Sequence, residues 1–367
     1  MASNTFGRYF ALTTAGESHG LGYVGILDGV PSGISLSLED IQQDLDLRAP
    51  GRSPYTSKRK EPDKVEILSG VYNGKTLGTP LAFMIRNTDQ RPEDYQFLEQ
   101  NIRPGHADFT YLQKYAHVDL RGGGRASARE TVLRVIGGSI AKQILKTTGL
   151  DLLADVRQVA SVRAPDITDG FDQARRRVIH DPFGCHDPAT SAVWKQLVEE
   201  CLEEKDSLPG SICFRIDPML SSLGEPVYYK VTNVIANALM TLPAAKGVVF
   251  GDMESFRSKK GSEFNDPFKE GIHKEIKLQK NDSAGALGGI STGEPLYGEV
   301  FFKAPSSIAK EQFSMNKLIE VKGRHDPLIA PRARIVVESM LWLTMMDLFL
   351  ANNAQLINAK EFSCLVR

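Results

Sequence analysis

Residues Arg121-Gly-Gly-Gly-Arg-Ala-Ser-Ala-Arg129, followed by Glu130-Thr-Val-Leu-Arg-Val-Ile-Gly-Gly-Ser-Ile140, join a glycine-rich turn to an apolar run. Val132, Val135, Ile136 and Ile140 recur at helical spacing and predict a buried helix from Ser127 to about Lys146. Ahead of it, the three glycines let backbone N–H groups approach an anion closely, and the helix N-terminus adds the positive end of its dipole. Arg125 and Arg129 are four apart, so they share a face if the helix begins this early. Arg134 lies five positions after Arg129 and points elsewhere on an ideal helix. A guanidinium in so apolar a stretch needs a partner, because burying it unpaired is costly.

On the N-terminal side, Tyr9 to Leu27 reads as a hairpin around the polar turn Ala15-Gly-Glu-Ser-His-Gly20. A helix is predicted over Leu38–Leu47, with Ser37 as N-cap and acidic residues in its first turn. Arg48 to Asp63 is basic and turn-rich, with Pro50-Gly51 and Pro54, and reads as a loop. Val65–Val71 is strand-like. On the C-terminal side, Asp151 to Leu208 predicts helices with charged surfaces and little chemistry. Ile212–Ile216, Val248–Phe250 and Val300–Phe302 read as short strands, and the last helix starts near Pro331. Strands and helices mix without a βαβ rhythm, so α+β is favoured over a doubly wound parallel sheet. There is no repeat, low-complexity tract or flexible linker, which predicts one domain over residues 1–367.

Forty-four basic residues face 45 acidic ones, so overall charge gives no argument for nucleic acid or a membrane surface. Cys185, Cys201, Cys213 and Cys364 show no CxxC pair and read as reduced thiols. Ile335 to Leu350 is apolar but interrupted by Glu338, Thr344 and Asp347. It is shorter than the roughly 20 residues a bilayer needs and reads as a core helix. No basic segment followed by an apolar stretch opens the chain, so a cytoplasmic protein is expected.

His19, His106 and His325 each lie in a tight turn beside Gly, Pro or Asp. One such histidine is more often structural, but three in like settings suit proton transfer near neutral pH. Gly285-Ala-Leu-Gly-Gly-Ile-Ser-Thr-Gly293 offers backbone that a flat ligand can approach. In Lys303-Ala-Pro-Ser-Ser307 an ammonium and two hydroxyls could hold a phosphate. Gly323-Arg-His-Asp-Pro327 concentrates a cation, an imidazole and a carboxylate. There is no dinucleotide fingerprint, Walker lysine, nucleophile elbow or HExxH pair, and a metal site is not expected. An arginine-rich site for a multiply anionic substrate remains, with histidines for protons and glycine-lined room for a cofactor.

In these residues the chain resembles the chorismate synthase family. The matching segments are Gly16-Glu-Ser-His-Gly20 with Asp28-Gly-Val-Pro31, Gly122-Gly-Gly-Arg-Ala-Ser-Ala-Arg-Glu-Thr131, and Gly323-Arg-His-Asp-Pro327 with Glu338. Asn87-Thr-Asp-Gln-Arg91, Arg103-Pro-Gly-His-Ala-Asp108 and Leu223-Gly-Glu-Pro226 also match. The resemblance runs from about residue 4 to 352, leaving 353–367 as a tail. It implies a large α+β fold of antiparallel sheets sandwiched by helices, a homotetramer, and reduced FMN as obligatory cofactor. NADPH would enter only as a source of reducing equivalents, through an external flavin reductase. The implied reaction is the 1,4-anti elimination of phosphate from 5-enolpyruvylshikimate-3-phosphate, without net redox change.

Carried over by motif, the resemblance makes His106 the acid toward the phosphate and His19 the group that tunes or protonates the flavin. Asp326 acts beside the flavin nitrogen that receives the ring hydrogen. Arg125, Ala126, Ser127, Pro243, Ala244, Gly288, Lys303, Ala304, Pro305, Ser306, Ser307 and Arg324 are the implied FMN contacts. Arg48, Arg52, Arg129 and Arg134 are the implied anion partners. The chain departs from the family pattern in three places. Ala49 and Pro54 stand where arginines are usual, with Arg52 as the substitute cation. Ala304-Pro305 interrupts a segment that usually reads Lys-Pro-Thr-Ser-Ser, and Pro243 replaces Asn or Gln. The competing readings are a metal-assisted phosphatase using His19, His106 and Asp326, and a non-catalytic module that binds a phosphorylated metabolite.

Overall fold

The computed structural model describes residues 3–49, 51, 63–88, 101–119, 121–168, 170–270, 276–321 and 326–355. The hairpin predicted around the Gly16–Gly20 turn forms from strands Ala11–Gly16 and Gly22–Asp28, paired antiparallel with Gly16 opposite Tyr23. It is the centre of a five-stranded antiparallel sheet, ordered Thr5–Phe6, Ala11–Gly16, Gly22–Asp28, Leu81–Arg86, Val65–Ile67. A second antiparallel sheet runs Ala245–Phe250, Leu296–Phe302, Gly210–Ile216, Leu152–Val159, Val162–Arg163.

Helices fill the space between the sheets. Helix α1 (Leu38–Arg48) is capped as predicted: the Ser37 hydroxyl accepts from the Asp40 amide at 3.1 Å. Helix α2 (Asp108–Tyr115) follows the Arg103–Asp108 turn. Helix α3 (Thr131–Leu145) lies on the first sheet and against α1 and the C-terminal helix, Ala330–Gln355. The C-terminal helix in turn packs on the second sheet. Helices Phe171–His180 and Pro188–Glu203 pack against strands Leu152–Val159 and Val162–Arg163. One apolar cluster joins all these layers, from Phe10 and Phe83 through Ile136 and Leu341 to Phe214 and Trp194.

The C-terminal helix extends over 26 residues, longer than the apolar run suggested and long enough to cross a bilayer. Burial decides its role: Leu341, Leu343, Met345 and Met346 are fully enclosed by protein. Each polar interruption has a partner. Glu338 accepts from the Ala154 amide and Arg334, Thr344 donates to the Met340 carbonyl, and Asp347 Oδ1 accepts the N–H groups of Arg8, Tyr9 and Phe10.

Three other expectations are corrected. Helix α3 begins at Thr131; Gly124–Ala126 and Ala128–Glu130 are separate 3₁₀ turns. Arg125 and Arg129 therefore share no helical face. The stretch Val65–Val71 is two short strands, Val65–Ile67 and Val71–Tyr72, parted by Gly70 at φ 83°. The segment after Asp151, read as helical, opens with the strand Leu152–Val159. It is buried nearly throughout, so it lacks the alternation that marks a half-exposed strand. Cys185, Cys201 and Cys213 are free thiols.

Candidate active site

The turn Arg103–Asp108 is closed by its own ends. Arg103 Nε and Nη2 donate to Asp108 at 2.9 and 2.7 Å, a buried two-point ion pair. Gly105 sits between them at φ 70°, and a Cβ there would fall 2.7 Å from the Ser306 hydroxyl. Ser306 donates to the Gly105 carbonyl at 3.0 Å and is also bonded by Lys303 Nζ. His106 is fixed through both ring nitrogens. Nδ1 lies 2.9 Å from the Pro104 carbonyl and Nε2 lies 2.7 Å from the Ser307 hydroxyl. The carbonyl can only accept, so Nδ1 carries hydrogen and Nε2 of the neutral ring accepts from Ser307. Burial, and then the Arg103 cation, hold the His106 pKa below its ordinary value.

These residues line a cavity of about 350 Å³, within the range of small-molecule sites. Ala126, Ser127, Pro243, Ala244, Lys303, Ser306 and Ser307 from the predicted cofactor set share it with His106. The Lys303 amide donates to the Ala244 carbonyl at 3.0 Å, joining the two loops. Ala304 follows Lys303 just beyond the end of the strand Leu296–Phe302. Pro305 faces a smaller, apolar cavity of about 130 Å³, which also has Ala128, Pro243 and Ala244 in its wall. Arg48, Asp326 and Arg332 stand at this second cavity. Asp326 is held by Arg332 at 2.6 Å, and Arg332 Nε also reaches the Arg48 carbonyl at 3.3 Å.

His19 is 5 % exposed and bonds Ser18 at 3.1 Å. Its ring lies against Gly122, where a Cβ would come within 2.5 Å of Nδ1; Gly122 is itself in the wall of the larger cavity. Arg48 and Arg129 are both buried and share one carboxylate, that of Asp63.

Other predicted residues lie apart. Arg134 finds the partners its burial requires in Glu130, at 2.7 Å, and Thr241, and with Arg125 it faces a different cavity of about 280 Å³. Arg125 bonds Thr14 at 2.8 Å there. Gly288 turns the short hairpin of Ala286–Leu287 and Ile290–Ser291 and borders neither of the two central cavities. Arg52, Arg324 and His325 lie outside the described residues.

Sequence reasoning assigned no role to Arg103, Asp108, Asp63, Asn87 or Arg332. Arg103 and Asp108 had a signal in their spacing, opposite charges closing a Pro-Gly turn. Asp63 gave none, because Arg48 and Arg129 reach it from 15 and 66 residues away. Arg332 lies six residues from Asp326, but its link to the Arg48 carbonyl spans 284 residues.

A family model described as chorismate synthase matches residues 10–350. A chorismate synthase of Porphyromonas gingivalis is 40% identical over 356 residues, 96% of this chain and 96% of that protein. One from Nitratiruptor is 42% identical over 365 residues, 98% and 99% of the two chains. A crystal structure of a chorismate synthase superposes with a TM-score of 0.75 at 28% identity, covering 94% of this chain and 93% of that one.

Proposed function

The chain belongs to the chorismate synthase family, and from that premise we propose how its residues carry out the reaction. The protein is a lyase that eliminates phosphate from 5-enolpyruvylshikimate-3-phosphate to give chorismate. The observation that supports the following account best is the meeting of His106 with Ser307 at 2.7 Å, in a cavity walled by the 103–108 turn and the 303–307 segment.

Reduced FMN is the cofactor for which this cavity is suited. Gly122, Gly123, Ala126 and Ala128 present backbone and methyl groups that a flat ring system can approach. Lys303 Nζ is a donor for an anionic group. The Ser306 and Ser307 hydroxyls, which donate to the Gly105 carbonyl and to His106 in the empty site, would turn to such a group when it binds. Bound there, the reduced flavin would lend electron density to the breaking C–O bond and recover it, so that no net redox change results. Reducing equivalents come from NADPH through an external reductase. The protein works as a cytoplasmic homotetramer, each chain one domain.

The protein's own part is orientation and proton handling. Arg48 and Arg129 supply positive charge toward the substrate's anionic groups. His106 is neutral in the empty site, its proton affinity lowered by burial and by Arg103. An arriving phosphate offsets Arg103 and draws a proton to Nε2, the nitrogen that faces the cavity; that proton then goes to the departing phosphate. His19, walled in by Gly122, holds its ring at the flavin side. Asp326, kept in place by Arg332, is the carboxylate beside the ring hydrogen that leaves.

Anaerobic titration of FMN, reduced by dithionite, tests the cofactor assignment. Absorbance should change saturably with protein when 5-enolpyruvylshikimate-3-phosphate is present. Absence of saturable binding under those conditions would remove the flavin from this account.

A further inference from the structure

Asp63 is 2 % exposed and its carboxylate is divided between two guanidiniums. Oδ2 accepts from Arg48 Nη1 and Oδ1 from Arg129 Nη1, each at 2.7 Å. The backbone at Asp63 has φ 40°, a left-handed conformation that glycine adopts freely and aspartate adopts at a cost. Such a conformation persists only where the surroundings hold it.

We infer that Asp63 is the positioning residue of the anion clamp, an internal carboxylate that fixes Arg48 and Arg129 in the orientation in which they meet substrate. The inference rests on the reading that these two arginines serve the substrate's anionic groups. Two buried guanidiniums repel one another; a carboxylate between them offsets that repulsion and sets their spacing. Asp63 engages one nitrogen of each, and other donors are aimed by other partners. Arg48 Nε donates to Thr131 Oγ1 at 3.1 Å, and Arg129 Nε donates to Asn87 Oδ1 at 2.7 Å. Asn87 in turn donates to the carbonyls of Glu17 and Gly20, at 3.1 and 2.8 Å. The clamp is thus bonded to the turn that carries His19, and a shift of the arginines would be felt there.

Asp63→Gly removes the carboxylate and leaves at φ 40° a residue that adopts this conformation freely, so no added backbone strain accompanies the loss of the two ion pairs. Because misplacing a binding group by about 1 Å can cost a hundredfold, KM for 5-enolpyruvylshikimate-3-phosphate should rise on the order of tenfold to a hundredfold. The value of kcat should stay within about threefold, the pattern of lost ground-state binding. Added formate should lower KM in the variant and leave the wild-type protein unaffected, which a purely structural loss would not do. An unchanged KM, or a fall in kcat alone, would overturn the inference. So would a lower KM, which would make Asp63 a competitor of substrate. Should Asp63→Gly not fold, Asp63→Asn carries the same KM expectation, and a normal KM there overturns it equally. Arg48→Lys and Arg129→Lys, measured alongside, separate the premises. If they also leave KM unchanged, the assignment of the arginines fails; if they raise it and the Asp63 variants do not, only the role of Asp63 fails.

Discussion

Replacing His106 by alanine lowers turnover of 5-enolpyruvylshikimate-3-phosphate by roughly two to four orders of magnitude, the range that positioned acid–base groups contribute. The imidazole is held through both nitrogens, by Pro104 and Ser307, so its loss removes an oriented acid and not merely bulk. The pH dependence follows from burial and Arg103, which hold its pKa below the ordinary value of 6.5. The acting form is protonated, so kcat/KM, which reports the free enzyme, falls as pH rises through that depressed value. The same limb in kcat lies at higher pH, because bound phosphate offsets Arg103. In His106→Ala both limbs vanish. Full activity, or an unaltered pH profile, in that variant would remove His106 from the acid role.

Gly138→Val destabilises the fold by about 3 kcal/mol or more, at the upper end of overpacking effects. Gly138 is buried where α3 crosses the C-terminal helix. A Cβ at this position would lie 2.5 Å from both Cα and Cβ of Ser339 and 2.6 Å from its carbonyl oxygen. These are backbone and near-backbone atoms that cannot swing aside, so the helices must part. Those helices connect the two sheets, and their separation opens the shared core. Urea unfolding measures the effect as a lowered midpoint; a midpoint equal to the wild type's would show that the crossing tolerates an added side chain.

The hairpin and α1 were legible because their signals are local: a polar turn between apolar runs, and a serine cap at a helix start. The C-terminal helix was legible for the same reason, its start near Pro331 included, although the apolar run Ile335–Leu350 is shorter than the helix, which runs Ala330–Gln355 and carries polar residues at both ends. The strand Leu152–Val159 was missed because its neighbours bury it almost completely and charged Asp155 and Arg157 interrupt it. The start of α3 was misplaced because Arg-Ala-Ser-Ala-Arg suits an α-helix and two 3₁₀ turns equally.

The site divides in the same way. His106 and the 303–307 segment could be named from their own motifs, but that they touch is a fact of topology, 201 residues apart in sequence. Arg125 and Arg134, which the family resemblance set beside cofactor and substrate, face a separate cavity of this chain. Asp63 stayed silent because its meaning lies in two arginines brought to it from other elements.

Anaerobic turnover of 5-enolpyruvylshikimate-3-phosphate with and without reduced FMN tests the central claim most directly, with released phosphate and chorismate both measured. Phosphate and chorismate should appear together and only when reduced flavin is supplied. Equal phosphate release in its absence would contradict the account.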